Sequence, residues 1–312
     1  MVDAVSKAFF HTLAQLTVLQ RLASRYGMSS KRGFARRFIA GESVEEAIEV
    51  VRPLPDRGLL LTLDYLGESV KTTEEADAAT REYRRILEAI VASGIERNVS
   101  LKLTQLGLEV DRATCVDNLR RVLDPATEHK FFVRIDMENS PYTDVTLRIV
   151  ETLWGQSYRN IGVVVQSCLM RSEDDWKRVN ALGARIRLVK GAYKEPKNVA
   201  YQRKHEVDEA FVRLMQQLLD HGTYPAIATH DPEMIDATKR YAESRGYAKD
   251  RFEFQMLYGI RRDLQSALVS EGYRMRVYVP FGKQWFPYFM RRLGERPANV
   301  GFVLRGVFRE RA

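Results

Sequence analysis

An α/β barrel of eight parallel strands is predicted for this chain of 312 residues, and three observations carry the prediction. Short apolar runs recur along the chain, each stops at a lone polar or charged residue, and a segment of helical period follows. The runs are 59–63 before Asp64, 99–101 before Lys102, 131–135 before Asp136, 163–165 before Gln166, 186–189 before Lys190, 226–228 before Thr229 and His230, 252–254 before Gln255, and 275–277 before Tyr278. Their ends lie roughly 23 to 39 residues apart, which suits a strand followed by a crossover helix. Eight such units close into a barrel whose chemistry sits where the strands end. Polar groups gathered at one rim of an apolar structure are costly unless they bind something, so the pattern predicts a site as well as a fold.

The elements follow in order. Residues 4–52 read as helical, with an apolar stripe of Ala4, Phe9, Leu13 and Leu16 and breaks near Gly27, Gly33 and Gly41. Ser43, with Glu46 three residues on, resembles a capping box for a helix over 44–51. Pro53 and Pro55 end that segment. The chain thus divides into an N-terminal helical segment, 1–56, and a barrel, 57–312. Thr73-Glu74-Glu75 opens a helix that lasts to about Ser93, with Gly94 just past its end. Others are expected near 112–123, 141–154, 173–182, 200–221, 232–245 and 259–271. Pro141 and Pro232 fall in first turns, where a missing N–H costs nothing.

Bulk properties narrow the function classes. The hydrophobic share of 45% is ordinary for a soluble globular protein. No apolar stretch approaches the ~18 residues of a membrane span, and residues 1–10 lack the pattern of a secretory signal. Cys115 and Cys168 form no CxxC, which predicts a reducing, cytoplasmic setting without a disulfide framework. The net charge is +8, and the first forty residues set Lys7, Arg21, Arg25, Lys31, Arg32, Arg36 and Arg37 against one acid, Asp3. Three readings of that segment stand: a solvated helical surface, peripheral contact with the anionic inner face of a membrane, and nucleic-acid binding. No helix-turn-helix, zinc-finger or RNP pattern supports the third.

The chemistry-bearing residues cluster at the predicted strand ends. Lys102 and Asp136 end neighbouring strands and face one mouth, as a structural ion pair or as an anion clamp with an orienting acid. Arg187 sits inside a strand, where it must meet a carboxylate, an anion or an electron-rich ring. Gly191 follows Lys190 and lets backbone approach a ligand closely. His230 is the histidine at a strand end. Near the C-terminus a strand ends at Tyr278, a Pro/Gly loop follows, and a helix begins near Trp285. Tyr288 and Arg291 or Arg292 lie one turn apart there, and guanidinium forks suit a carboxylate or phosphate. A solvated basic helix end is the plainer reading of that pair. No metal-ligand spacing appears, and GxGxxG, GxxxxGK[ST] and GxSxG are absent.

These residues resemble the proline dehydrogenase family. The carriers are Arg187-Leu188-Val189-Lys190-Gly191-Ala192-Tyr193, Ala228-Thr229-His230, Phe254-Gln255-Met256-Leu257-Tyr258-Gly259 and the 278–292 run, with Asp64-Tyr65-Leu66-Gly67-Glu68 and Ile135-Asp136-Met137-Glu138. They span nearly the whole barrel, and the resemblance is to the single-function bacterial form. It implies a distorted (βα)8 TIM barrel, FAD bound at the strand C-termini, and oxidation of L-proline to Δ1-pyrroline-5-carboxylate, with hydride passing from C5 to flavin N5 and electrons to a membrane quinone. It implies catalytic roles for Asp136 and Arg187. Lys102, Arg291 and Arg292 resemble the cations on the proline carboxylate, and Leu257, Tyr278, Tyr288, Ala192 and Tyr193 the walls around the ring. Met137, Gln166, Arg187, Val189, Lys190, Gly191, Ala192, Thr229, His230 and Glu295 resemble flavin contacts. Glu68 resembles a gate that pairs with Arg291. Lys194 departs from relatives that carry an aromatic residue there. A different flavin barrel, such as a methylenetetrahydrofolate reductase, and a basic nucleic-acid-binding protein are the alternatives.

Overall fold

A computed structural model describes residues 34–295, with side chains through residue 290. The helical reading of 4–33, the basic residues up to Arg32 and the barrel residues beyond 295 lie outside the described residues.

Eight parallel strands close in sequence order into a barrel. They are β1 (Leu59–Tyr65), β2 (Asn98–Leu101), β3 (Phe132–Ile135), β4 (Ile161–Gln166), β5 (Arg185–Val189), β6 (Ala226–Ala228), β7 (Glu253–Leu257) and β8 (Arg274–Phe281). Closure is the pairing of β1 with β8, from Leu59 opposite Met275 to Tyr65 opposite Phe281. The helices are α1 (Val44–Val51) before the barrel, then α2 (Thr73–Ser93), α3 (Arg112–Glu128), α4 (Ser140–Gly155), α5 (Ser172–Ala181), α6 (Lys204–His221), α7 (Pro232–Ser244), α8 (Arg262–Ser270) and α9 (Trp285–Glu295).

Local chemistry accounts for the boundaries. Thr72 and Glu75 form a reciprocal capping box at the start of α2, and Gly94 closes its end in the left-handed region at φ 74°. At α1 only half of such a box forms: Ser43 caps the Glu46 N–H, while the Glu46 carboxylate turns to Arg36. Helix α3 runs past Pro125 to Glu128, beyond the expected 123. Leu123 and Ala126 are buried there, and this packing outweighs the lost backbone bond. Strands β7 and β8 run two and three residues past Gln255 and Tyr278, so those side chains lie inside the barrel wall rather than at its edge.

The two faces of the strands differ sharply. One alternation, including Leu61, Leu63, Val133, Ile135, Val163, Ile186, Leu188, Phe254 and Val277, joins the helices in one apolar core. The other alternation points into the barrel and is polar. Arg187 on β5 reaches Ser100 on β2, Asp136 just after β3 and Gln255 on β7, contacts possible only across the lumen. Lower down, Arg276 binds Glu253 and Glu96, and Arg134 donates to the carbonyls of Val163 and Arg185. Arg134 crosses β4 at Gly162, where a Cβ would lie 2.6 Å from the Arg185 carbonyl. The barrel interior is therefore a hydrogen-bonded ionic network, not the stacked aliphatic layers usual in this architecture.

The described part of the N-terminal segment packs on this barrel. Ala40, Val44, Ala47 and Val51 enter the main core, and backbone bonds tie Ala40 to Pro280 and Gly282 to Gly41. A second apolar cluster joins Ala35, Phe38 and Ile39 to Leu66 and to Trp285, Phe286, Tyr288 and Phe289 of α9. The Trp285 indole donates to Glu42 at 3.0 Å. These contacts hold α9 at the mouth where the strands end. Among the described residues, no helix is long and apolar enough to cross a membrane.

Candidate active site

A cavity of about 920 Å³ opens at the C-terminal ends of the strands. It lies near the top of the usual ligand-pocket range of roughly 300–1,000 Å³ and is large for a single small amino acid. Each strand contributes to its lining: Asp64 from β1, Lys102 after β2, Asp136 and Met137 after β3, Val164 and Gln166 from β4, Arg187 and Val189 from β5, Ala228 from β6, Gln255 and Leu257 from β7 and Tyr278 from β8. Lys190, Gly191, Ala192 and Tyr193 follow β5 into the wall, Thr229 and His230 follow β6, and Tyr288 closes it from α9.

Arg187 is the hub. Nη1 donates to Asp136 at 2.6 Å, Nη2 to Ser100 at 3.1 Å and Nε to Gln255 at 2.6 Å. The guanidinium also lies 5.2 Å from the centre of the Tyr278 ring. The sequence demanded a carboxylate, an anion or a ring beside this cation; the fold supplies the first and the third. Tyr278 donates its hydroxyl to the other Asp136 oxygen at 2.7 Å. Burial raises this phenol well above its ordinary value, and the Asp136 and Asp64 charges push the same way, so Tyr278 remains a neutral donor.

Of the two readings of Lys102 and Asp136, the structural ion pair between them does not form. Lys102 instead meets Asp64 at 3.5 Å, because the guanidinium crossing the lumen has taken the Asp136 carboxylate. Burial opposes the Lys102 charge, but Asp64 and then Asp136, Tyr193 and Glu68 outweigh it and raise the ammonium above its ordinary value. Asp64 is 1% exposed. Burial raises its carboxyl, against Lys102, with Asp136 adding to the rise.

The flanks are also fixed. Lys190 is held by Asp208 at 2.5 Å and Asp231 at 2.6 Å. Asp208, Asp231 and Glu233 bring ligand-capable oxygens within 4.8 Å of one another, yet Lys190 and Lys204 bridge them. The His230 Nε2 accepts the Leu257 N–H at 2.9 Å, which puts the proton of a neutral ring on Nδ1. Gly191 sits at φ 115°, and a Cβ there would fall 2.3 Å from the Cys168 sulfur. Gly191→Ala is expected to lower the unfolding free energy by about 1–3 kcal/mol, read as a shift in urea midpoint. An unchanged midpoint would show that this loop tolerates a side chain.

Glu68 does not line the cavity, although its charge reaches Lys102 and Glu138. Its loop is docked on Thr104, which accepts the Ser69 N–H at 2.9 Å. Thr104 in turn donates to Glu138 from its N–H and hydroxyl, at 3.1 and 2.5 Å. The side chains of Arg291, Arg292 and Glu295 lie outside the described residues; their backbone belongs to α9. Sequence reasoning gave no individual role to Asp64, Ser100, Gln255 or Glu138. Asp64 and Gln255 carry the very signal used for Lys102, a polar stop to an apolar run. Ser100 carries none, since it matters only through a partner brought by another strand.

Residues 47–305 match the family model described as proline dehydrogenase. The chain is 41% identical to proline dehydrogenase 2 of Bacillus subtilis (strain 168), over 97% of this chain and 99% of that one. It is also 41% identical to the proline dehydrogenase of Deinococcus radiodurans, over 99% of this chain and all of the other. Its fold is similar to the crystal structure of proline utilization A from Bdellovibrio bacteriovorus inactivated by N-propargylglycine. There the TM-score is 0.78 at 29% identity, covering 84% of this chain and 32% of that longer one.

Proposed function

This chain belongs to the proline dehydrogenase family, and from that premise we propose that it catalyses FAD-dependent oxidation of L-proline to Δ1-pyrroline-5-carboxylate and passes the electrons to a membrane quinone. The observation that carries this reading is the triply anchored Arg187 beside Lys102 in one cavity at the strand ends.

The residues present fit a flavin dinucleotide. The cavity exceeds what proline fills, Lys190 and Lys204 stand in its wall with their charges met by Asp208 and Asp231, and Arg187, Gln166 and His230 offer polar groups for a heteroaromatic ring. Met137, Val189, Gly191, Ala192 and Thr229 supply its nearer walls, and Glu295 is assigned a further contact. When bound, the flavin supplies the hydride acceptor for C5 of proline. The chain's own part is position and field. Lys102 takes the substrate carboxylate together with Arg291 and Arg292, which follow the cavity-lining Tyr288 by three and four residues on α9. These cations disfavour a second positive charge and so favour the neutral substrate amine. Tyr278, Leu257, Tyr193 and Ala192 wall the ring, Asp136 and Tyr278 hold the Arg187 side, and Glu68 gates the entrance through Arg291. The basic N-terminal segment suits a peripheral encounter with the quinone-bearing membrane.

The purified protein, supplied with FAD, is expected to be yellow and to bleach anaerobically with L-proline but not with NADH. Pyrrolidine, which lacks the carboxylate, is expected to need at least about a hundredfold higher concentration, since charge-assisted bonds contribute about 1.5–3 kcal/mol each. Bleaching by NADH rather than proline would overturn the proposal and favour a reductase of the methylenetetrahydrofolate type; failure to bind FAD would overturn both.

A further inference from the structure

Below Arg187 the polar interior continues, from the cavity-lining Gln255 inward, as a file of buried side chains. The Gln255 carbonyl accepts Arg187 Nε at 2.6 Å, and the Gln255 amide nitrogen donates to Glu253 Oε1. Glu253 also accepts Arg276 Nε at 2.7 Å, Arg276 Nη2 at 3.0 Å and the Tyr224 hydroxyl at 3.1 Å. Arg276 is anchored in turn by Glu96 and the Leu61 carbonyl, each at 2.6 Å. Glu253 is 2% exposed and Gln255 3%.

Donor and acceptor identities make this file directional. A carboxylate only accepts, so Glu253 forces the Gln255 NH2 group toward itself and the Gln255 carbonyl toward Arg187. Burial alone would raise the Glu253 carboxyl; Arg276 outweighs it and holds the group below the ordinary range, ionised as the file requires. Without that constraint the amide could turn, set NH2 against the Arg187 Nε–H, and release one of the three anchors of the guanidinium.

We propose that Glu253 is a positioning residue that acts through Gln255 to hold Arg187 in its working rotamer. The inference rests on the reading of Arg187 as the group beside the flavin.

Three variants test it. Glu253→Gln can donate to Gln255 and flip it, and is expected to slow proline-driven bleaching by about 10–100-fold with KM for proline changed less than about threefold. The exchange E253Q/Q255E returns an acceptor to Arg187 Nε at unchanged net charge, but the NH2 group introduced at 253, in donating to the carboxylate at 255, takes the place of the oxygen that accepts Arg276 Nε–H, so it is expected to recover the E253Q rate by about threefold or more without reaching wild type. Gln255→Met leaves the Glu253–Arg276 pair in place and serves if E253Q does not fold; it is expected to slow bleaching about as much as E253Q. A readout independent of activity is the Arg187 Nε–H resonance in arginine-labelled protein. It is expected to be protected from exchange in wild type, lost in E253Q and regained in the exchange variant. Folded E253Q or Q255M that bleaches at the wild-type rate overturns the proposal, as does slow E253Q with the resonance unchanged. If wild type itself is not bleached by proline, the assigned activity falls, while the resonance still decides whether Glu253 orients Arg187.

Discussion

Arg187→Met is expected to slow bleaching of the bound flavin by proline by about 10²–10³-fold and to lower the unfolding free energy by about 3–5 kcal/mol. Methionine keeps much of the side-chain volume but none of the donors. Three acceptors, on Asp136 and the buried Ser100 and Gln255, lose their partner at once. Asp136, with a side chain 13% exposed, is then left with the Tyr278 hydroxyl as its hydrogen-bond donor and the Lys102 charge nearby. Arg187→Lys separates charge from geometry. An ammonium retains the cation but cannot serve acceptors on three strands from one planar fork, so an intermediate loss of about tenfold or more is expected. Anaerobic stopped-flow absorbance and urea unfolding measure the two effects. A methionine variant within threefold of wild type would remove Arg187 from the reaction and leave it a purely structural cation.

The barrel was legible because its signals are local. Alternation and polar stops mark each strand whatever the rest of the chain does, and Thr73-Glu74-Glu75 with Gly94 marks the bounds of α2, Thr73–Ser93. Arg187 was legible for the same reason, since a cation inside a strand is conspicuous. By that rule Arg134, Glu253 and Arg276 were equally visible, each one polar residue within an apolar strand. What no local pattern gives is which charge meets which. Lys102 and Asp136 end adjacent strands, yet Arg187, from two strands further round, holds Asp136 and leaves Lys102 to Asp64. Partner choice depends on which side chains cross the closed lumen, a property of the whole ring. The polar interior is the same lesson at larger scale: Ser100, Asp136, Arg187, Glu253, Gln255, Arg276 and Tyr278 become one network only when the sheet closes.

Lys102→Met brings binding and stability together at one residue. Removing one of the proposed carboxylate contacts is expected to raise the proline concentration for half-maximal bleaching by about 10–100-fold. It also leaves Asp64, 1% exposed, without its ion-pair partner, for an expected loss of about 3–5 kcal/mol at neutral pH. The pH dependence distinguishes this cause from a simple packing defect. In wild type the Lys102 value is raised, so its stabilisation is complete below the unfolded value of 10.5 and fades only as pH rises through the folded one; it adds no slope between pH 5 and 8. Asp64 is raised by burial, and losing Lys102 removes the chief influence that opposes the rise. The folded variant then binds a proton that the unfolded chain, near 3.8, releases, so stability increases as pH falls toward that value. Lys102→Met is therefore expected to have a higher urea midpoint at pH 5 than at pH 8, by a wider margin than wild type. Adding Asp64→Asn removes the stranded charge and is expected to flatten the profile and recover most of the lost stability, without restoring proline affinity. A single variant as stable as wild type at both pH values, with no gain from the second change, would mean that this pair carries no net electrostatic weight in the fold.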